Sequence, residues 1–283
     1  MSDHPLTTSA ETGRELRLSI GVFDSGVGGL SVLRALREHL PLATLLYVAD
    51  SGHAPYGEKS EAFITGRSQA IAEFLLSQGA EVLVVACNTA TATSVNALRT
   101  RHPHLPIVGI EPGVKPAVAA SVARKVGVLA TPGTLASGRF ARLMEQHAGD
   151  AQILPQPCPG LAKAIEGGLL DTPVLRELIH RFCTPLQQAG VDTVVLGCTH
   201  YPFVAPLIAE SMGPAVQLID TSDAVARQTV RLSRRALPLV ERTGGEPASG
   251  RTRLWTSDDV TALRHFCTPW MTDKATFEAL PCA

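Results

Sequence analysis

The 283-residue sequence has no apolar run of the roughly 20 residues that a membrane-spanning helix needs. It also lacks an excess of charge: 25 Lys and Arg stand against 26 Asp and Glu, a formal net charge of −1. That balance argues against a nucleic-acid partner, which needs a basic stripe. The tightest basic cluster, Arg231, Arg234 and Arg235, has the spacing of one polar helix face. The first residues, MSDHPLTTSAETGRE, contain no apolar core of a secretory signal. Residues 1–17 read as a flexible leader. The six cysteines, Cys87, Cys158, Cys183, Cys198, Cys267 and Cys282, form no CxxC pair and no dense pattern. Free thiols in a reducing compartment, the cytoplasm, are expected.

What the chain does have is alternation. Short runs rich in Val, Ile and Leu lie at 18–23, 44–49, 81–86, 106–110, 125–130, 151–154, 192–197 and 216–219. Amphipathic stretches separate them at 29–39, 60–78, 90–101, 134–147, 172–189 and 222–236. Buried strands alternating with helices predict an α/β fold with parallel sheets covered on both faces.

The runs also repeat. IGVFDSG (20–26) matches VGVLATP (126–132), LVVACNT (83–89) matches VLGCTH (195–200), and VGIEP (108–112) matches QLIDT (217–221). The three spacings of 106, 111 and 109 residues are nearly one spacing, and the order is kept. Two similar parallel-sheet α/β domains, related by a pseudo-two-fold axis with the active site between them, are expected. We place the first at 18–112 plus 224–283 and the second at 113–223. Hinges are expected at EPGVKP (111–116) and around Asp220–Asp223. A Gly-rich loop at 241–253, a strand at 253–256 and a helix near 258–267 should return to the first domain.

Parallel α/β sheets bind ligands at the carboxyl ends of their strands. The polar residues there are Asp24-Ser25, Asp50-Ser51, Cys87-Asn88-Thr89, Glu111, Thr131 to Thr134, Cys198-Thr199-His200 and Asp220. With no aromatic cage among them, they suit a small zwitterion. Cys87 and Cys198 each end a strand and are expected to open a helix. Such a position should lower a thiol pKa. One such cysteine alone reads as an inert buried thiol. Two at equivalent places in a repeat suit exchange of a proton on opposite faces of one carbon, with the two thiols trading acid and base roles.

Competing chemistries lack their residues. Asp24-Ser25-Gly26-Val27-Gly28-Gly29 has neither the Lys of a P-loop nor the dinucleotide glycine spacing; its glycines are expected to allow close approach to a small ligand. Cys198-Thr199-His200 is no zinc pattern. Of the five lysines only Lys115 closely follows a strand, in a Pro-flanked turn, so a pyridoxal Schiff base is not expected.

Together FDSGVGGLSVLRAL (23–36), YVADSGHAPYGEKS (47–60), ACNTATA (86–92), ATPGTLAS (130–137) and GCTHYPF (197–203) resemble, in order, the motifs of the glutamate racemases, within the cofactor-independent aspartate/glutamate racemase superfamily. The match spans roughly 18–225. The resemblance implies interconversion of L- and D-glutamate for peptidoglycan, without cofactor or metal. It implies Cys87 and Cys198 as the two acid/bases, with Asp24 assisting the first and His200 the second. Glu166 resembles a family carboxylate near the second cysteine. Asp24, Ser25, Tyr56, Gly57, Asn88, Thr89, Thr131, Thr134, Thr199 and His200 would line the substrate. Glutamate rather than aspartate is implied chiefly by His200-Tyr201-Pro202. A homodimer is in keeping with the family, with neither nucleic acid nor membrane as partner. Ser51, His53 and Phe203 depart from the commoner Thr, Arg and Leu. From the residues alone, an aspartate or other amino-acid racemase and a non-catalytic amino-acid binder stay open; a binder has no need of paired thiols.

Overall fold

In the computed structural model, residues 18–236, 250–271 and 275–281 are described. The leader at 1–17, most of the Gly-rich loop and Cys282 lie outside them. In chain order the described elements are β1 (Ser19–Asp24), α1 (Leu30–His39), β2 (Thr44–Ala49), α2 (Glu61–Ser77), β3 (Val82–Val85), α3 (Asn88–Arg101) and β4 (Ile107–Gly109). There follow α4 (Val114–Ala120), β5 (Lys125–Ala130), α5 (Pro132–Leu135), α6 (Gly138–His147), β6 (Gln152–Pro157), α7 (Leu161–Glu166) and α8 (Pro173–Gln188). The last are β7 (Thr193–Leu196), α9 (Ala205–Met212), β8 (Gln217–Ile219), α10 (Ser222–Ala236), β9 (Thr252–Thr256), α11 (Val260–Cys267) and β10 (Ala275–Ala279).

Two sheets result, with the orders β10-β9-β2-β1-β3-β4 and β6-β5-β7-β8. Every pairing is parallel. The block β2-β1-β3-β4 repeats as β6-β5-β7-β8. The three sequence matches fall on the equivalent strands β1/β5, β3/β7 and β4/β8. The central strands are buried almost throughout, as both-face coverage requires. The chain crosses to the second sheet after β4 and returns after β8. On its return α10 packs on α1, and β9 and β10 extend the first sheet beyond β2.

Some expectations are corrected. The stretch 134–147 is two helices, because Ser137 leaves α5 and caps α6 by accepting from Phe140 N–H. Val114 already begins α4, so Lys115 and Pro116 are helical and not in a turn; Pro is tolerated there because first-turn amides need no helical partner. The helices α7 and α9 and the strand β10 were not anticipated. The first two are 6 and 8 residues long, too short for a clear helical period.

Candidate active site

The strand order changes direction at β1/β3 in one sheet and at β5/β7 in the other, which opens a crevice at each set of carboxyl ends. The crevices meet in one narrow cavity. Cys87, Asn88 and Thr89 form one wall and Cys198, Thr199 and His200 the other. Ser25, Tyr56, Gly57, Thr131 and Thr134 complete most of it. Pro55, Ala162 and Gly197 also line it; sequence reasoning missed them because they carry no polar side chain. Asp24 and Glu166 do not line it. Both stand behind the wall.

The two cysteines lie two residues beyond the equivalent strands β3 and β7. Cys87 is the N-cap of α3, and its sulfur accepts from Ala90 N–H at 3.4 Å. The Ser25 hydroxyl is 3.6 Å away. Cys198 does not open a helix, contrary to expectation. It precedes a 3₁₀ turn at Tyr201–Val204, and α9 begins only at Ala205.

The expected thiol activation at Cys87 is also corrected. Burial, with the nearby Asp24 charge, pushes Cys87 up to about 12, outweighing its Ala90 N–H and Ser25 contacts. A helix N-terminus contributes a partial charge only, and here desolvation wins. At neutral pH the unliganded Cys87 is a thiol.

The Cys198 wall is built differently. Its sulfur lies 3.7 Å from His200 Nδ1, and His200 Nε2 donates to Glu166 Oε2 at 2.6 Å. Burial opposes a charged imidazole, yet the Cys198 and Glu166 contacts outweigh it and raise His200 well above its ordinary value. Burial would likewise raise Glu166. Its bonds from His200, Ser51 and Val27 N–H prevail and hold it below the usual carboxylate range. Asp24 goes the other way: burial raises it, despite His200, Thr199 and Gly26 N–H. Its oxygens accept from Gly26 N–H and from the Thr199 hydroxyl, both at 2.9 Å.

A sign follows for stability. The depressed folded pKa of Glu166 contributes stability above the unfolded value of about 4.3, and this is lost as pH falls through the folded value. Glu166→Gln is expected to be less stable than wild type at neutral pH, and the gap should narrow as pH drops from about 5 toward 3. Thermal melts of both proteins across that range check it. A gap constant with pH would show that the carboxylate charge is not responsible.

The glycines of the 24–29 segment serve a role other than the expected one. A side chain at Gly26 would collide with the Glu166 carboxylate, and one at Gly28 with the His200 ring and Thr199. They admit the opposite wall, not the ligand directly. The loop carrying Tyr56 is anchored on buried Asp50. That carboxylate accepts from Tyr56 Oη at 2.5 Å and from Arg67 Nε and Nη2 at 2.9 and 2.6 Å. His53 Nδ1 lies 3.0 Å from the same group, so His53 supports the loop's anchor. Arg67 had no sequence signal beyond its place on α2.

Residues 30–229 match the model of the Asp/Glu/Hydantoin racemase family. This chain belongs to that family. A glutamate racemase of Ectopseudomonas mendocina is 54% identical over 245 residues, covering 87% of this chain and 91% of that protein. One of Pseudomonas aeruginosa is 54% identical over 240 residues, covering 84% and 88%. Among solved structures, the Escherichia coli glutamate racemase in complex with L-glutamate and an activator superposes with a TM-score of 0.82 at 32% identity, covering 94% of this chain and 98% of that one. A Bacillus anthracis glutamate racemase gives 0.82 at 28% identity, with the same coverage. This racemase therefore carries the shared fold over nearly its whole described length.

Proposed function

We infer that this enzyme interconverts L- and D-glutamate and supplies D-glutamate for peptidoglycan. The observation that carries the chemistry is the pair of cysteines on opposed walls of one cavity, at equivalent strand ends. The relatives named glutamate racemase supply the substrate. In the forward step one sulfur takes the α-proton, breaking the C–H bond and forming S–H. The carbon's electron pair then accepts a proton from the other sulfur on the opposite face. The reverse reaction exchanges the roles.

The two sides are prepared unequally. Cys87 begins as the proton donor, since burial keeps it a thiol. The His200 ring stands 3.7 Å from the Cys198 sulfur, within reach to exchange a proton with it, and Glu166 keeps the ring oriented and charged. The Asn88 Oδ1 atom is buried on the cavity wall with no partner among the described residues. A buried acceptor needs a donor, and the substrate ammonium is a fitting one. The hydroxyls of Ser25, Thr89, Thr131 and Thr134 offer donors for two carboxylates, while that of Thr199 is engaged with Asp24. Asp24 acts through Thr199 rather than on substrate. No cofactor enters this scheme.

We divide the enzyme into a first domain at 18–112 with 224–283 and a second at 113–223; the chain's crossings after β4 and β8 support that division. A cytoplasmic homodimer without nucleic-acid or membrane partners is our reading of its setting. Among the described residues no helix is long and apolar enough to cross a membrane.

Glutamate should be racemised far faster than aspartate. Fixing both carboxylates misplaces the α-carbon of a chain one methylene shorter, and an error of about 1 Å costs roughly a hundredfold. Circular dichroism with each L-amino acid, without added cofactor, measures the ratio. Comparable kcat/KM values would make the enzyme an amino-acid racemase of broader specificity.

A further inference from the structure

Glu166 ends α7 on the second-sheet side, yet two of its three hydrogen-bond partners belong to the first. Its carboxylate accepts from Val27 N–H at 3.1 and 3.0 Å and from the Ser51 hydroxyl at 2.6 Å. Val27 follows β1 and Ser51 follows β2, both in the first sheet. The remaining bond, to His200, leads on to Cys198. A single carboxylate thus joins the two walls and one candidate base. Opening the cleft would remove the Val27 and Ser51 donors and leave Glu166 with His200 alone. The Gly26 and Gly28 close approaches fit the same arrangement, because they let the first wall come within reach.

We propose that Ser51 is a positioning residue: its hydroxyl locks the Glu166 carboxylate against His200 when the walls meet, so that cleft closure completes the Cys198 half of the site. This rests on the reading of Cys198 as an acid/base. Ser51 neither lines the cavity nor reaches substrate. Its effect passes through Glu166 Oε1, whose direction toward the cleft it sets, and leaves Oε2 aimed at the imidazole. Short bonds of a hydroxyl to a carboxylate are among the stronger ones in proteins. Without this one, Glu166 has only the bifurcated Val27 N–H to hold it on the first wall.

The test compares Ser51→Ala, Ser51→Thr and wild type with α-deuterated L- and D-glutamate. A bond to a charged group is worth roughly a tenfold effect or more, so kcat/KM for Ser51→Ala should fall about tenfold. Ser51→Thr, which keeps the hydroxyl, should restore most of it. The decisive reading is the pair of primary isotope effects. When transfer at Cys198 alone is slowed, it becomes more rate-limiting. The isotope effect should then rise for the enantiomer whose α-deuteron goes to Cys198 and fall toward unity for the other. A general loosening of the fold moves both effects together or neither. Matched isotope effects in Ser51→Ala, or failure of Ser51→Thr to recover, overturn the proposal. Cys198→Ser separates this outcome from failure of the underlying reading: if that variant keeps its activity, Cys198 is no base and the reaction scheme falls first.

Discussion

Cys87→Ser and Cys198→Ser should each abolish racemisation while leaving the fold intact. Both side chains are buried at the cavity wall, and serine is close to cysteine in size. The hydroxyl is a far weaker acid than the thiol, so it neither gives nor takes a proton at neutral pH. One acid–base group contributes roughly 10²–10⁴ in rate. A loss smaller than about tenfold, well under that range, would remove the affected cysteine from the mechanism.

Solvent deuterium separates two bases from one. If one sulfur removes the α-proton and the other delivers its own, the delivered hydrogen has already exchanged with solvent. In deuterated water the earliest product should carry deuterium at the α-carbon, and recovered substrate should stay protiated. That holds provided that product leaves faster than it reverts. A single base would return the abstracted proton to either face. Partly protiated early product together with deuterium in recovered substrate would end the two-base scheme, whatever the serine variants show.

The legible part of this molecule was the part governed by local pattern. Parallel strands buried on both faces declare themselves as runs such as KVGVLA, which is β5 to the residue. The repeat declared the second sheet, because equivalent strands end in similar polar residues. What stayed hidden depends on contacts between segments far apart in sequence. Glu166 bonds Val27 across 139 positions and Thr199 bonds Asp24 across 175; no spacing rule reaches that far. The expected activation of Cys87 failed for a related reason. A helix N-terminus can be read from a sequence, but burial of the sulfur beside Asp24 cannot, and burial is the larger effect. Likewise the glycines at 26 and 28 announced a close approach without saying to what.

Those glycines give the second large prediction, in which a methyl group costs activity and little stability. In Gly28→Ala the added carbon would stand 2.7 Å from Thr199 Oγ1 and closer still to the His200 ring. Gly28 does not have a positive φ, so alanine strains no backbone there. The three nearest atoms all belong to the opposite wall, and opening the cleft relieves the clash with them. Cys198 and His200 then draw back from the Cys87 wall, and Ser51 loses its hold on Glu166. Displacing the reacting groups by about 1 Å should cost roughly a hundredfold in kcat/KM, with a melting temperature near that of wild type. Gly29→Ala supplies the contrast. There the new carbon would meet Asp24 Cβ at 2.7 Å and Tyr47 Oη at 2.9 Å, both within the first sheet's own packing. Cleft opening cannot relieve that clash, and overpacking costs about 1–3 kcal/mol of stability. Gly66→Ala, with open space around it, should leave activity unchanged and raise stability by about 0.5–1 kcal/mol, as expected inside a helix. Kinetics and thermal melts on the three variants distinguish the sites. Full activity in Gly28→Ala would mean that the two walls need not meet as closely during turnover as they do here.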